Sequence, residues 1–95
     1  MPCKEDIGAI KKDIDLLEGS TREQVNKKIS KVVNDPDIGD HKHGWPVDIR
    51  VVPVLNHRYV LAYRFTREPE CLVTFILFLP HDELYQKMDK MYKRK

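Results

Sequence analysis

The residues from Cys71 to Leu79 constrain the fold of this chain more than any other segment. They read Cys-Leu-Val-Thr-Phe-Ile-Leu-Phe-Leu and are apolar except for Thr74. A half-buried strand alternates apolar and polar residues, whereas an uninterrupted apolar run is typical of a strand covered on both faces. The sequence therefore predicts a strand in the middle of a sheet, with covering elements on both sides.

Two further strand-type segments precede this run. Residues 47–52 alternate apolar and polar side chains, and Pro53 lacks the N–H that a sheet ladder needs, which places this end at an edge or bulge. Residues 58–65 also alternate, with the larger side chains on one face. The connections, at Asn56-His57 and at 67–70, are too short for a parallel crossover. We therefore expect three consecutive antiparallel strands.

Helical periodicity precedes the strands. Apolar residues recur at spacings of three and four in two series, which are Ile7, Ile10, Ile14 and Leu17, and then Val25, Ile29, Val32 and Val33. Gly19 suits the C-cap of the first helix, and Ser20 begins a capping box for the second, which ends at Asn34-Asp35-Pro36. The short turn between the two helices predicts an antiparallel hairpin.

The chain becomes helical again from Pro80, with apolar residues at Leu84, Met88 and Met91. Residues 1–6 give little signal, because Cys3 is followed by three charged residues that do not favour a strand. The predicted fold is a single α+β domain over residues 1–95. An N-terminal antiparallel helical hairpin packs on a three- to four-stranded antiparallel sheet, and a C-terminal helix follows.

Length and charge limit the functions that are open to the chain. Its 95 residues form one modest core without room for a large cofactor cleft, so we expect no cofactor. A net charge of +2 permits an acidic partner without requiring one. The sequence has neither a membrane-length apolar run nor the apolar segment of a secretory signal. We therefore expect a cytoplasmic protein, away from membranes, with Cys3 and Cys71 as reduced thiols.

Two histidines, His41 and His43, stand close together in a polar loop that spans residues 36–46. A structural zinc site needs four ligands at closed spacing. The neighbours here are Lys and Gly, and neither Cys is close in sequence. We interpret this pair as part of a solvated loop and expect no metal site.

Arg50 and Arg58 accompany the first two predicted strands. Strand arginines on a polar face are often solvated or ion-paired. In the alternative interpretation the open face of the sheet binds phosphates, because a guanidinium can hold a phosphate through two parallel hydrogen bonds. Lys42 and Lys27 would extend such a basic patch, although Asp48 stands between the cations in sequence.

His81 and Tyr85 follow the central strand directly and are four residues apart, so they share one face of a helix. A His can transfer protons near neutral pH, and a Tyr can orient a substrate group or stack on a base. In the alternative interpretation these residues only begin a helix. Asp82 and Glu83 then favour the helix dipole, and Tyr85 packs on the core.

The same residues resemble a known family. The run from Glu18 to Ile29, followed by Asp35-Pro36, is similar to the helical region of the RelE toxins, which belong to the wider RelE/ParE superfamily. The resemblance continues in order over residues 8 to 90. The motifs that continue it are Gly44-x-Pro46, the strand Asp48–Val52, His57-Arg58-x-Val60 with Tyr63, and Glu83-Leu84-Tyr85.

The resemblance implies a fold and an activity. RelE toxins have a compact α+β fold of the microbial-RNase type, in agreement with the architecture predicted above. They are ribosome-dependent mRNA endonucleases: the toxin enters the ribosomal A site, and the 2′-OH of the mRNA attacks the adjacent phosphate. The partners implied are the ribosome with its mRNA and a cognate RelB-like antitoxin, which wraps the toxin and contacts or displaces its C-terminal helix.

The family roles can be transferred residue by residue. Arg58 matches an arginine that stabilises the transition-state phosphate, and Tyr85 matches a tyrosine that orients or activates the nucleophilic hydroxyl. Arg50 falls where the family has a strand lysine, and His81 stands near a second arginine and can act as general acid. The residues expected to bind RNA are Lys42, His57 and Lys27, and the candidate antitoxin contacts are Leu84, Met88 and Met91.

Several positions depart from the family pattern. The chain is less basic than RelE toxins usually are, and low charge weakens binding to RNA. A second basic strand position is Val51 or Val52 here, and Leu79-Pro80 stands where the family has another basic residue. These departures favour the alternative of a non-nuclease relative, such as a ParE-like gyrase inhibitor or an attenuated toxin. A plain protein–protein adaptor also stays open, because fold does not fix function.

Overall fold

Residues 3–92, which the computed structural model describes, form three α-helices around a four-stranded sheet. The elements in chain order are β1 (Lys4–Asp6), α1 (Lys11–Asp15), α2 (Gly19–Asn34), a 3-10 turn (Pro36–Ile38), β2 (Ile49–Val54), β3 (Tyr59–Thr66), β4 (Leu72–Pro80) and α3 (His81–Tyr92). This arrangement confirms the predicted α+β class, the helical hairpin and the C-terminal helix. No helix within these residues is long and apolar enough to cross a membrane.

The strand order is β1-β4-β3-β2, so the apolar run does lie in the interior of the sheet. β2 pairs antiparallel with β3, and β3 pairs antiparallel with β4, as the short connections predicted. Pro53 lies in β2, at an edge of the sheet, where its missing N–H removes no ladder bond. The prediction of a purely antiparallel sheet is wrong, because β1 pairs parallel with β4.

β1 is a strand that the sequence barely indicates. All three of its residues are exposed, so it contributes no side chain to the core. Main-chain bonds hold it in place: Lys4 N–H donates to the Cys71 carbonyl over 3.0 Å, and Cys3 N–H donates to the Val33 carbonyl over 3.0 Å. Charged residues can form this strand because its main-chain pairing with β4 sets the register.

The pairing of β1 with β4 also overturns the expectation of two reduced thiols. Because Lys4 is in register with Leu72, Cys3 lies beside Cys71. Their Cα atoms are 4.8 Å apart, within the range that a disulfide requires, and the two sulfurs are bonded. The sequence did not predict this contact, because the two cysteines are 68 residues apart and meet only when β1 pairs with β4.

The first helix is shorter than its apolar stripe predicted. It covers only Lys11–Asp15, because Asp6 Oδ1 accepts a hydrogen bond from Gly8 N–H over 3.0 Å and bends the preceding residues into a turn. The stripe is nevertheless confirmed: Ile10 and Ile14 are buried, and Ile7 and Leu17 pack against them.

The predicted caps between the two helices are wrong. α2 begins at Gly19, with Glu18 as its N-cap, and no side chain caps it. Gly19 is therefore a helical residue and Ser20 lies within the first turn. The capping box is a local signal, whereas the buried positions of α2 (Val25, Ile29, Val32 and Val33) set its register against the sheet. Its predicted end is confirmed at Asn34.

Both faces of the sheet are covered. α1 and α2 pack on one face, called here the hairpin face, and α3 packs on the other, called here the α3 face. The hairpin-face cluster contains strand residues Val52, Val54, Leu61, Tyr63, Val73, Phe75 and Phe78 beside the helical stripes. The α3-face cluster contains Trp45, Ile49, Val51, Val60, Ala62, Leu84 and Met88. The prediction that the apolar run is covered on both faces is therefore confirmed, and the alternative of an open, phosphate-binding face is wrong.

A bulge in β4 adjusts which side chains face which helix. Ala62 is in register with Leu77, but the next residue, Tyr63, is in register with Phe75, so Ile76 has no partner. The extra residue shifts the alternation. As a result Phe75 and Phe78 both reach the hairpin face, and Ile76 packs against the α3-face cluster.

Candidate functional site at the start of α3

A surface cleft lies where α3 meets the loop that precedes β2. The side chains that line it are Lys42, His43, Trp45, His81, Tyr85 and Asp89. α3 supplies one wall, because three of these residues recur every four positions along the helix and share one face. The loop over residues 41–46 supplies the opposite wall.

The chain reaches α3 without a connecting loop. β4 ends at Pro80 and α3 begins at His81, whose N–H donates to the carbonyl of Arg58 over 3.0 Å. This bond fixes the first turn of α3 against the β2–β3 hairpin. The rings of His81 and Tyr85 have centroids 4.7 Å apart, which confirms that the two residues share a face.

His81 has a defined hydrogen-bond arrangement. Its Nδ1 lies 3.1 Å from Asp82 Oδ1. A carboxylate only accepts, so Nδ1 bears the proton in this contact and Nε2 faces away from it. The imidazole is exposed to solvent. It can therefore accept a proton at Nε2 when neutral, or donate one from Nε2 when charged.

The 41–46 loop is held by bonds within itself. Trp45 N–H donates to the Lys42 carbonyl over 3.2 Å, and His41 Nε2 lies 3.0 Å from the Trp45 carbonyl oxygen, which accepts its hydrogen. Gly44 has a φ of 91°, a left-handed conformation that glycine adopts without strain. The loop therefore presents Lys42 and Trp45 to α3 in a fixed turn.

Trp45 is the residue that joins this loop to α3. Its side chain is buried, and its ring stacks on Tyr85 with centroids 5.7 Å apart. Its indole N–H donates to Asp89 Oδ1 over 3.3 Å. Leu84 and Met88 pack in the same cluster from the buried side of α3. Aromatic stacking, a hydrogen bond and apolar contact thus act together at one side chain.

Lys42 adds a positive charge to the cleft. Its ammonium lies over the Tyr85 ring, 5.5 Å from the centroid, where the negative face of the ring attracts a cation. The side chain is half-buried. Of the residues predicted to bind RNA, Lys42 alone lines this cleft.

Arg58 does not line the cleft, and among the described residues its only link to it is the carbonyl that accepts from His81 N–H. Its side chain is exposed and lines a separate groove between the β2–β3 turn and the start of α2, beside Thr21, Gln24 and Asn56. The predicted RNA-binding residue His57 lies in the same turn, exposed and with a φ of 68°. Arg58 and His81 are therefore joined by a backbone hydrogen bond, while their side chains line two separate depressions.

Arg50 lies on the hairpin face, away from the cleft. Its Nη1 donates to the Gly39 carbonyl over 3.1 Å, Nη2 lies 4.0 Å from Asp37, and its guanidinium packs over Phe65. The predicted open phosphate-binding face that would combine Arg50 with Arg58 does not form. The alternation in β2 predicted that Arg50 and Ile49 lie on different faces of the sheet. It did not predict which helix would cover each face.

Tyr63 holds the segment to which Arg50 is bonded, because both side chains contact the backbone of Gly39. The Tyr63 hydroxyl donates to the Pro36 carbonyl and accepts from Gly39 N–H over 3.1 Å. Burial raises the pKa of Tyr63 to about 12, and the hydrogen bond from Gly39 and the charge of Arg50 oppose that rise only in part. A Cβ at Gly39 would overlap this hydroxyl, so glycine is required at that close approach.

The remaining predicted site residues are dispersed. Lys27 lies on the outer side of α2, beside Glu23 and Lys31. In the stripe predicted to contact an antitoxin, Leu84 and Met88 are fully buried under α3, whereas Met91 is 46% exposed. Only Met91 is open to a partner while α3 stays docked.

Sequence reasoning missed three residues of the cleft. Asp89 could have been found, because it is four residues beyond Tyr85 and eight beyond His81 on the same helical face. His43 was considered only as a possible metal ligand. Trp45 gave no local signal, since β2, β3 and β4 all lie between it and its partners Tyr85 and Asp89 in the sequence. Within residues 3–92, no group of three His, Cys, Asp or Glu side chains could hold a metal ion.

Comparison with solved structures shows the same fold in a known toxin. A mutant of the E. coli toxin RelE in the free state superposes with a TM-score of 0.73 at 23% identity, over 96% of this chain and 98% of that one. The isolated E. coli RelE toxin superposes with a TM-score of 0.69 at 24% identity, over 94% of this chain and 97% of that one.

Comparison at the level of sequence families identifies the chain. No curated protein sequence matches it. The family model of the ParE-like toxin of type II bacterial toxin–antitoxin systems matches residues 7–89, which is most of the chain and includes the whole cleft. The chain therefore belongs to the ParE-like toxins of type II bacterial toxin–antitoxin systems, and its fold is that of RelE.

Proposed function

We propose that this toxin is an endoribonuclease that cleaves mRNA in the ribosomal A site and so inhibits translation. The observation that supports this proposal is the convergence of His81, Tyr85 and Lys42 in one solvent-accessible cleft. These residues supply a proton-transfer group, a hydroxyl with an aromatic face, and a cation. Cleavage of RNA by its own 2′-OH uses a proton donor for the departing oxygen and a cation for the charge that develops on the phosphate.

The proposed reaction assigns one role to each group. The Tyr85 hydroxyl holds the 2′-OH of the nucleotide before the scissile bond, which attacks the adjacent phosphorus and gives up its proton to water. The Lys42 ammonium stabilises the charge that develops on the phosphate oxygens. His81, protonated at Nε2, donates that proton to the departing 5′-oxygen. The products are a 2′,3′-cyclic phosphate and a 5′-hydroxyl.

Asp82 favours this assignment for His81. Its carboxylate accepts a hydrogen bond from Nδ1–H and orients the ring, so that Nε2 is the atom available to the substrate. In this proposal Arg58, whose side chain lines a separate groove beside α2, would bind a different phosphate of the same strand. The ribosome would hold the mRNA against the cleft, since a net charge of +2 gives weak binding on its own.

Membership of a type II toxin family implies an antitoxin partner. We propose that this antitoxin engages α3, because that helix holds His81 and Tyr85 and presents Met91 to solvent. With α3 docked, the contact would use Met91. Contact with Leu84 or Met88 would require α3 to be displaced, which would also take the cleft apart.

The test is a map of mRNA 5′ ends on translating ribosomes after induction of the chain, beside His81→Ala, Tyr85→Phe and Arg58→Ala variants. We expect cleavage at A-site codons, with a loss of about 100-fold or more for His81→Ala. Intact mRNA under growth arrest by the parent chain would rule the nuclease out.

A second candidate is inhibition of DNA gyrase by protein binding, as for a ParE-type toxin. It is favoured by the position of Arg50, which is bound to Gly39 and Asp37 and leaves the cleft with one lysine as its cation. A supercoiling assay with purified gyrase separates the candidates. Inhibited supercoiling with intact mRNA supports the second, and mRNA cleavage with normal supercoiling supports the first.

A further inference from the structure

The cleft has two walls that are far apart in sequence. One is the 41–46 loop and the other is α3. Among the described residues, the only hydrogen bond between side chains of the two walls joins Trp45 to Asp89. Every other contact between these walls is stacking, apolar packing or the attraction of Lys42 to the Tyr85 ring. Such contacts tolerate sliding, whereas a hydrogen bond has a preferred direction.

We propose that Trp45 and Asp89 form a latch that positions Tyr85 and Lys42 for the reaction, an inference that rests on the proposed function. Asp89 is a positioning residue, since it acts through the indole of Trp45. The latch fixes the rotation of the indole, the indole fixes the ring of Tyr85 by stacking, and the turn that contains Trp45 fixes Lys42 above that ring.

The chemistry of the indole explains why such a latch forms. Trp45 is 5% exposed, and a buried indole N–H requires an acceptor. Asp89 meets that need from an exposed position on α3. Loss of the acceptor would leave the N–H to find water, and the ring would rotate to reach it. A displacement of reacting groups by about 1 Å can reduce a rate severely.

The effect should fall on the chemical step. Apolar packing of Trp45 with Leu84 and Met88 keeps the cleft assembled when the hydrogen bond is absent, so substrate still binds. We expect Asp89→Ala to lower kcat about tenfold and to leave KM within about twofold, the pattern of an interaction that matters in the transition state. Thermal unfolding should show that this variant stays folded.

Conservative changes separate the hydrogen bond from the other properties of these residues. Asp89→Asn keeps an acceptor and should restore most of kcat. Trp45→Phe keeps an aromatic ring without the N–H and should lose about as much as Asp89→Ala, and the double variant should lose no more than either alone. Gln86→Ala is the matched control, because it removes a polar, exposed side chain from the other side of the same helix.

A second measurement does not depend on RNA cleavage. Trp45 is the single tryptophan of the chain, so near-ultraviolet circular dichroism reports its ring directly. The tryptophan band should weaken in Asp89→Ala, return in Asp89→Asn and stay unchanged in Gln86→Ala. If the parent chain cleaves no mRNA, the proposed function fails and this band still tests the latch.

Three outcomes would overturn the latch. They are an unchanged kcat and tryptophan band in Asp89→Ala, an Asp89→Asn variant as impaired as Asp89→Ala, and losses in the single variants that add in the double variant. The second outcome would show that the charge of Asp89 matters and its hydrogen bond does not.

Discussion

The polar groups on the two faces of the sheet are used differently. On the hairpin face, Tyr63 is buried and Arg50 half-buried, and both are bonded to the backbone of residues 36–39. On the α3 face, His81 and Lys42 stand at the rim of a cleft, and neither donates to a main-chain carbonyl through its side chain. Enclosed polar groups determine the conformation of the chain, whereas polar groups at a rim are free to meet a ligand.

The two faces also differ in what they contribute: the hairpin face contributes mainly to stability, and the α3 face contains the candidate site. The hairpin face contains the larger buried cluster and both tilted aromatic contacts of Tyr63, with Phe65 and Phe75. The α3 face contains a smaller cluster, so its helix can be moved at lower cost. Four experiments test this division, in order of decreasing expected effect.

The largest effect is expected from Phe75→Ala. Phe75 is fully buried on the hairpin face, and its removal should lower the free energy of unfolding by about 4 kcal/mol through lost burial and a cavity. Urea denaturation measures it. The matched change is Ile76→Ala, on the same strand but half-buried toward α3, which should cost about half as much. Equal losses would contradict the division between the faces.

Reduction of the Cys3–Cys71 disulfide should have the next largest effect. The bond closes a loop over a separation of 68 residues, and its opening should lower the free energy of unfolding by about 3 kcal/mol. Denaturation with and without dithiothreitol measures the loss, after mass spectrometry has verified the bond. A Cys71→Ser variant should lose the same amount and should not respond to the reductant.

Tyr63→Phe should cost about 1–2 kcal/mol at neutral pH, because Pro36 and Gly39 lose a buried partner. Burial raises the pKa of Tyr63 to about 12, so its share of stability is present below pH 10 and is lost as pH rises from 10 toward 12. The parent chain should therefore lose more stability than Tyr63→Phe over this interval. Parallel curves for the two proteins would show that the hydroxyl is not enclosed.

The smallest effect is expected from Arg50→Met. The methionine keeps an apolar chain against Phe65 and loses the bond to Gly39, which should cost about 1 kcal/mol. RNA cleavage should not change, because the guanidinium lies on the face opposite the cleft. A large loss of cleavage at unchanged stability would place Arg50 at the substrate, as the family resemblance implied.

Much of the fold followed from the sequence because the relevant signals are local. The apolar run of β4, the strand-type patterns of β2 and β3 and the stripe of α2 each depend on a few neighbouring positions, and the elements they predicted are confirmed. Burial does not alternate along β2 and β3, because both faces of the sheet are covered. The strand β1 could not be predicted in this way. Its charged residues form a strand only because β4 offers a free edge and Cys71 offers a sulfur, both far away in sequence.

The candidate site followed from the sequence only in part. The spacing of His81 and Tyr85 sufficed to place them on one face of α3. Lys42 was chosen for its charge, and its position over Tyr85 depends on the turn around Trp45. The face that Arg50 occupies depends on where the hairpin packs, which alternation within one strand does not specify.

The disulfide has a mechanical consequence for α3. With Cys3 and Cys71 bonded, a pulling force between the two ends of the chain passes directly through the sulfurs, and roughly 230 Å of contour length between them stays locked. The segment after Cys71 lies outside the closed loop and can be extended, and α3 is the helix within it. An unfoldase that grips the C-terminal end would therefore unravel α3, with His81 and Tyr85, before it reached a covalent ring.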